Sequence, residues 1–212
     1  MAATKHEFYT PTTDVFQGFD TTYITGQTFT VGTTGANENH TISSVKLLMW
    51  KGGSPGTITV AIRAVDGSGL PTGSDLSTGT TNGDTLTTDP AGEVREITMS
   101  SYELQASTKY ALLMKSAVYS PPTNWAFANI LSSGSSYTGG HFLYYEASWN
   151  ELAGADFYFE IWGEAAATGT NISLNVGDVW KDVTNAYVNV GDVWKEVASA
   201  SVNVGDVWKT IF

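Results

Sequence analysis

Nucleophilic catalysis needs a Ser, Thr or Lys beside a base that a third group orients, and the histidines available as that base are His6, His40 and His141. His6 lies near the start of the chain, His40 closes an NENH segment and His141 follows Gly139-Gly140. No GxSxG, HExxH or comparable signature surrounds any of them. Two carboxylates could meet in space for glycoside cleavage, but Asp75, Asp84, Asp89, Glu146, Glu151 and Asp156 fall mostly in turn-like sequence, where Asp is expected because it bonds its own backbone. The run Asp66-Gly67-Ser68-Gly69 offers carboxylate and carbonyl oxygens of the kind calcium takes, without EF-hand spacing. Asp66 is therefore the one candidate metal residue and structural calcium the one candidate cofactor, with a tight turn accounting equally for the same residues. No catalytic residue is assigned, and the chain reads as a non-enzyme.

A second kind of chemistry needs no proton transfer: aromatic rings laid against the apolar faces of sugars. Trp125, Tyr144, Tyr145 and Trp149 stand in or beside loop-rich sequence after Ser120. Trp125, Tyr144 and Trp149 are the candidate glycan-binding residues, against the alternative that alternating Tyr, Phe and Leu simply fill a sandwich.

The third constellation is a repeat. Leu174–Val183 reads LNVGDVWKDV, Val188–Val197 reads VNVGDVWKEV and Val202–Ile211 reads VNVGDVWKTI, with Trp180, Trp194 and Trp208 spaced by 14 residues (194 − 180 and 208 − 194). A Gly-Asp step between β-branched runs, with Gly177, Gly191 and Gly205 at its first position, is the signature of a type II′ hairpin. Such a turn sets Val190 opposite Val193, Val188 opposite Lys195 and Asn189 opposite Trp194. Both faces then carry apolar bulk, so the units gain stability only by packing on copies of themselves. Two arrangements satisfy this: a pseudo-threefold β-prism within one chain, or a stalk in which three chains wrap around a common axis. The second predicts a homotrimer assembled through the three Trp and three Gly.

The elements that must carry these residues are strands. Thr57–Val65 alternates over its whole length, with Ile58, Val60, Ile62 and Ala64 on one face. Similar runs are Ile42–Trp50, Glu93–Met99, Lys109–Lys115, Phe142–Tyr145 and Asp156–Trp162, the last with Phe157, Phe159 and Ile161 on one side. Gly and Pro recur too often for a helix of ordinary length. The organisation expected is an arm or edge strand over residues 1–25, an antiparallel β-sandwich over 26–163, a small polar linker over 164–171 and the hairpin repeats over 172–212.

Composition narrows the partners. The 212 residues carry 10 Lys+Arg against 21 Asp+Glu, a net charge of −11, which argues against nucleic acid, whose recognition begins with a basic patch. The absence of Cys removes disulfides, thiol nucleophiles and Cys-ligated zinc together. Met1–Thr13 has no positive segment leading into an apolar one, and no run of about 18 apolar residues follows, so neither a secretion signal nor membrane insertion is expected.

Lys51–Thr57 (KGGSPGT), Gly69–Gly73 (GLPTG), Leu104–Leu112 (LQASTKYAL), Tyr137–Gly140 (YTGG) and Phe159–Gly163 (FEIWG) occur in an order that resembles a β-sandwich module of phage and metagenomic virion proteins. The terminal VNVGDVWK units are similar to hairpin repeats at the ends of phage tail and appendage proteins, where Gly-Gly usually replaces Gly-Asp. The resemblance implies an all-β chain, a jelly-roll-like sandwich followed by a three-fold hairpin repeat. It also implies a structural role in a virion assembled in the host cytoplasm, with other virion proteins and a host-surface glycan as partners. It transfers no site residue. A capsid decoration protein and a secreted carbohydrate-active or carbohydrate-binding protein are the alternative readings.

Overall fold

The structure is a computed structural model of the whole chain. It describes residues 3–118 and 124–166 with their side chains and, beyond them, the backbones of six strands between 172 and 210. The chain divides into two compact units, Met1–Ala166 and Ala167–Phe212.

The first unit is all-β among the described residues, apart from one 3₁₀ turn at Gly83–Thr85. Its strands are β1 (Thr4–Tyr9), β2 (Val15–Phe19), β3 (Ile24–Thr30), β4 (His40–Gly52), β5 (Thr57–Val65), β6 (Pro71–Asn82) and β7 (Glu93–Thr98). There follow β8 (Glu103–Leu104), β9 (Lys109–Ser116), β10 (Trp125–Leu131), β11 (Phe142–Glu146), β12 (Ser148–Leu152), β13 (Asp156–Phe157) and β14 (Phe159–Ala165). Six of them form one antiparallel sheet in the order β12-β11-β3-β9-β5-β6, and the other eight form a second antiparallel sheet built around β4. The two make a β-sandwich, each turning one face to a shared core.

That core is written in the alternation of the strands. Ile58, Val60 and Ile62 of β5 are fully buried, as expected, and meet Val45, Leu47 and Met49 of β4 and Phe157, Phe159 and Ile161 of β13 and β14 in one cluster. Where alternation breaks, a bulge accounts for it. In β4, Ile42 and Val45 both face the core although three residues apart, because Ser43 is an extra residue between the Trp162–Ser44 and Gly163–Ile42 pairs.

The eight-stranded sheet has a branched plan. Residues 44–49 of β4 pair with β7 on one side, while on the other side β4 pairs first with β14, up to Leu47–Phe159, and then with β10, from Met49–Ala128 to Gly52–Trp125. β1 lies beyond β14 and β2 beyond β10. The sheet therefore splits at Leu48, where β4 exchanges one neighbour for the other.

Two expected boundaries move. The sandwich begins at Thr4 rather than at residue 26: β1 and β2 are strands of it, and the edge strand, not a free arm, describes this segment. Its hold is polar as well as apolar. The buried Glu7 carboxylate accepts from the backbone N–H groups of Gly32, Thr33 and Thr34, from the Thr34 hydroxyl and from the Tyr137 hydroxyl. At the other end β14 continues past Gly163, since Glu164 and Ala165 still pair with Thr41 and His40; these two residues leave the expected linker.

In the second unit Ile172–Val176 pairs with Val179–Val183, Tyr187–Val190 with Val193–Glu196, and Ser201–Val204 with Val207–Thr210, each antiparallel. The registers repeat, setting Asn175 opposite Trp180, Asn189 opposite Trp194 and Asn203 opposite Trp208, as the sequence predicts. Gly177, Gly191, Gly205 and the side chains of Trp180, Trp194 and Trp208 lie outside the described residues.

Candidate functional site

Of the residues that suggested acid–base chemistry, the structure brings His6 and His40 together and sets Asp66 and His141 elsewhere. Asp66 is on the turn between β5 and β6, where its carboxylate accepts from the N–H groups of Ser68 (2.8 Å) and Leu70 (3.0 Å), the turn chemistry that was the alternative to a calcium ligand. Among the described residues no three His, Cys, Asp or Glu side chains group as metal ligands would. His141 stands 3.6 Å from Glu151 at the surface. His6, the extra residue of a bulge in β1, stacks face to face on His40 of β4, ring centroids 3.9 Å apart. The Thr4 hydroxyl is 3.2 Å from His6 Nε2, but Glu38 lies 3.7 Å from His6 Nδ1, beyond hydrogen-bond reach. The His6 and His40 rings are both buried, so no substrate reaches them in this arrangement.

The three aromatic candidates stand on strands rather than in loops, and they are not together. Tyr144 of β11 packs against the main core and stacks on Tyr23. Trp149 of β12 lies on the outer face of the six-stranded sheet, edge-on to Tyr145, over a small cluster of Ala111, Leu113 and Leu143. Trp125 alone heads a continuous aromatic surface.

That surface is the outer face of the eight-stranded sheet. Along β10, Ala126, Ala128 and Ile130 face the core, so Trp125, Phe127 and Asn129 face outward. β10 lies between β2 and β4, and its pairs bring Trp50 of β4 opposite Phe127 and Phe16 of β2 opposite Asn129. The rings stack: Trp125 on Phe127 at 5.5 Å, Phe127 on Trp50 at 4.2 Å, with Phe16 edge-on to Trp50 at 4.8 Å. Offset and edge-to-face contacts of this kind stabilise one another beyond their buried area. Two glycines lie beside the row. A Cβ on Gly18 would come within 3.3 Å of Phe127, and one on Gly52 within 3.5 Å of Trp125.

A depression flanks each end. At the Trp125 end, about 220 Å³ is bounded by Gln17, Asp20 and Tyr23. At the other end, about 490 Å³ opens over the split in the sheet, between the Pro11–Asp14 connection and the Pro90-Ala91 turn, with Leu48, Asn129 and Tyr158 among its lining residues. Asn129 is buried; its Nδ2 donates to the Pro90 carbonyl (3.1 Å), and its Oδ1 takes no donor. Trp50 Nε1 is likewise buried without an acceptor. Phe16 is 49% exposed at the Asn129 end of the row, where an apolar ring costs free energy in water. Phe127 is buried and Trp50 and Trp125 are half-buried, so Phe16 is the exposed ring of the row.

Phe16 and Trp50 were not legible as site residues because they are far from Trp125 in sequence and meet it only through strand pairing. No protein-family model matches this chain, and no curated protein matches it.

Proposed function

We propose that this chain is a non-enzymatic structural protein of a phage particle, a jelly-roll-like sandwich displayed for attachment to the host surface and assembled into a homotrimer by its three C-terminal hairpins. The observation that carries the reading is the tandem organisation: a sandwich followed by three strand pairs in one repeated register. A two-stranded pair is marginal alone, and three identical registers in succession suit stacking between copies around an axis. The sandwich, with a core of its own, is then the part held out to the surroundings, and its outer aromatic face is the part with something to bind.

Light scattering on the full chain tests the assembly, with a trimer expected at micromolar concentration and a monomer overturning it. Antibody labelling of phage particles tests the location, with labelled tail or appendage expected. Labelling spread evenly over the head replaces attachment with decoration.

A further inference from the structure

His6 and His40 stand on strands that do not pair with each other. β14 lies between β1 and β4 in the sheet, yet the two rings meet, parallel to within 3° at 3.9 Å. A Cβ on Gly163 of β14 would come within 3.0 Å of His40 Cδ2, so the glycine leaves the room that the ring occupies. Both rings are buried, and each keeps one nitrogen without a partner, Nδ1 of His6 and Nε2 of His40. The other two are engaged, His6 Nε2 with the Thr4 hydroxyl (3.2 Å) and His40 Nδ1 with the Glu38 carbonyl oxygen (3.1 Å).

A neutral pair suits this arrangement, because stacked rings attract and a neutral imidazole has a single N–H to place. One proton also finds a counter-charge, since the Glu38 carboxylate lies 3.7 Å from His6 Nδ1. The other charged groups next to the pair are Lys5, which pairs with Glu160, and Glu7, which is taken up by its own donors. Glu103 of β8 and Glu164 of β14 both stand opposite Thr41, the residue after His40. A second proton is the difficulty. On His40 Nε2 it meets no acceptor, and it sets two like charges one ring-stack apart in a buried site, where they repel most.

The sheet determines which ring gives way. His40 is held on both sides, opposite Ala165 of β14 and Leu104 of β8. β1 ends the row and, among the described residues, pairs with β14 alone, with His6 in its bulge. We infer that the His6–His40 stack is an acid-operated latch: with both rings protonated, β1 leaves the edge of β14 while the two sheets stay joined. The charged imidazoles then reach water, and the edge of β14 from Phe159 to Gly163 is bared. The bonds to Glu7 oppose release and hold β1 in place until the second proton arrives. The latch does not depend on the attachment reading.

Hydrogen exchange by mass spectrometry on the full chain, with each rate taken relative to the intrinsic rate at that pH, is the test. Between pH 7.5 and 5 the amides of β1 are expected to lose protection at least about tenfold, reversibly, while those of β5 and β9 keep theirs. His6→Phe keeps a flat ring in the stack that takes no proton, and is expected to leave β1 protected at pH 5. Glu38→Gln, at a side chain 46% exposed, removes the charge that lets the closed form hold one proton, and is expected to move the opening to higher pH. Protection of β1 at pH 5 in the unaltered chain overturns the inference, as does joint loss of protection in β1 and β5, which is global unfolding. So does acid opening that persists in His6→Phe, or an opening midpoint that Glu38→Gln leaves in place. Should His6→Phe fail to fold, the unaltered chain and Glu38→Gln decide.

Discussion

His40 shows how one buried ring makes the sandwich sensitive to acid. Burial above all, and then the His6 ring stacked on it, push its pKa below the ordinary 6.5, against the backbone carbonyl and charge of Glu38, which favour the proton. The unfolded chain therefore binds more protons than the native one as pH falls below 6.5, and stability is lost through that window down to the lowered native value. Above 6.5 the ring is neutral in both states and the contribution is flat. The melting temperature is expected to drop between pH 7.5 and 5, and His40→Gln to flatten the drop; an unchanged slope shows that another group sets it. Asp156 works in the opposite sense, because burial raises its carboxyl above 3.8, so its part of the stability falls as pH rises through the raised value. Glu7 acts through the donors its carboxylate gathers. Glu7→Gln turns an N–H₂ toward backbone N–H groups already pointing at the site, and is expected to cost on the order of 3 kcal/mol, read from denaturant unfolding. A loss of a few tenths means that the loop after β3 reorganises around the amide.

At the scale of the element, bulges decide what alternation alone does not. Gly163 stands across from the extra residue of β4, and a Cβ there would lie 2.5 Å from the Thr41 carbonyl oxygen. Gly163→Ala is expected to destabilise by about 1–3 kcal/mol through that overpacking, with an unchanged unfolding midpoint showing instead that β4 yields. Several strands were legible: β5 runs Thr57–Val65, as its alternation predicts, and β7, β9 and β11 fall within a residue or two of their expected limits. β10 was not, because rings on its outer side and Ala126, Ala128 and Ile130 on its inner side erase the two-residue period. β1 and β2 were hard to assign for a related reason. What holds them is the Glu7 bonds and pairing with strands at the far end of the chain, neither of which leaves a local pattern. Of the site, Trp125 was legible from its type, whereas Phe16 and Trp50 became neighbours only through the placement of β10 between β2 and β4.

For the molecule as a whole, the two units carry separate expectations. Residues 1–166 hold both sheets and their joint core, so this fragment is expected to melt cooperatively as a folded monomer. Aggregation or a non-cooperative melt shows that the repeats contribute to the sandwich itself. The repeats are expected to carry the trimer, so the fragment's mass by light scattering separates the two contributions. The pairing of the sandwich also runs against the direction of synthesis. Thr4 is hydrogen-bonded alongside Gly163 and Tyr9 alongside Phe159, and Phe16 and Phe19 have their partners in β10. On a ribosome β1 and β2 emerge well before the strands they pair with, and the edge of β4 that takes β14 stays bare until nearly the whole sandwich has been made. A chain built this way folds late and slowly, and in a crowded cell each unfinished copy exposes a strand edge to its neighbours. Producing it quickly and in quantity is thus a problem of nascent chains pairing with one another.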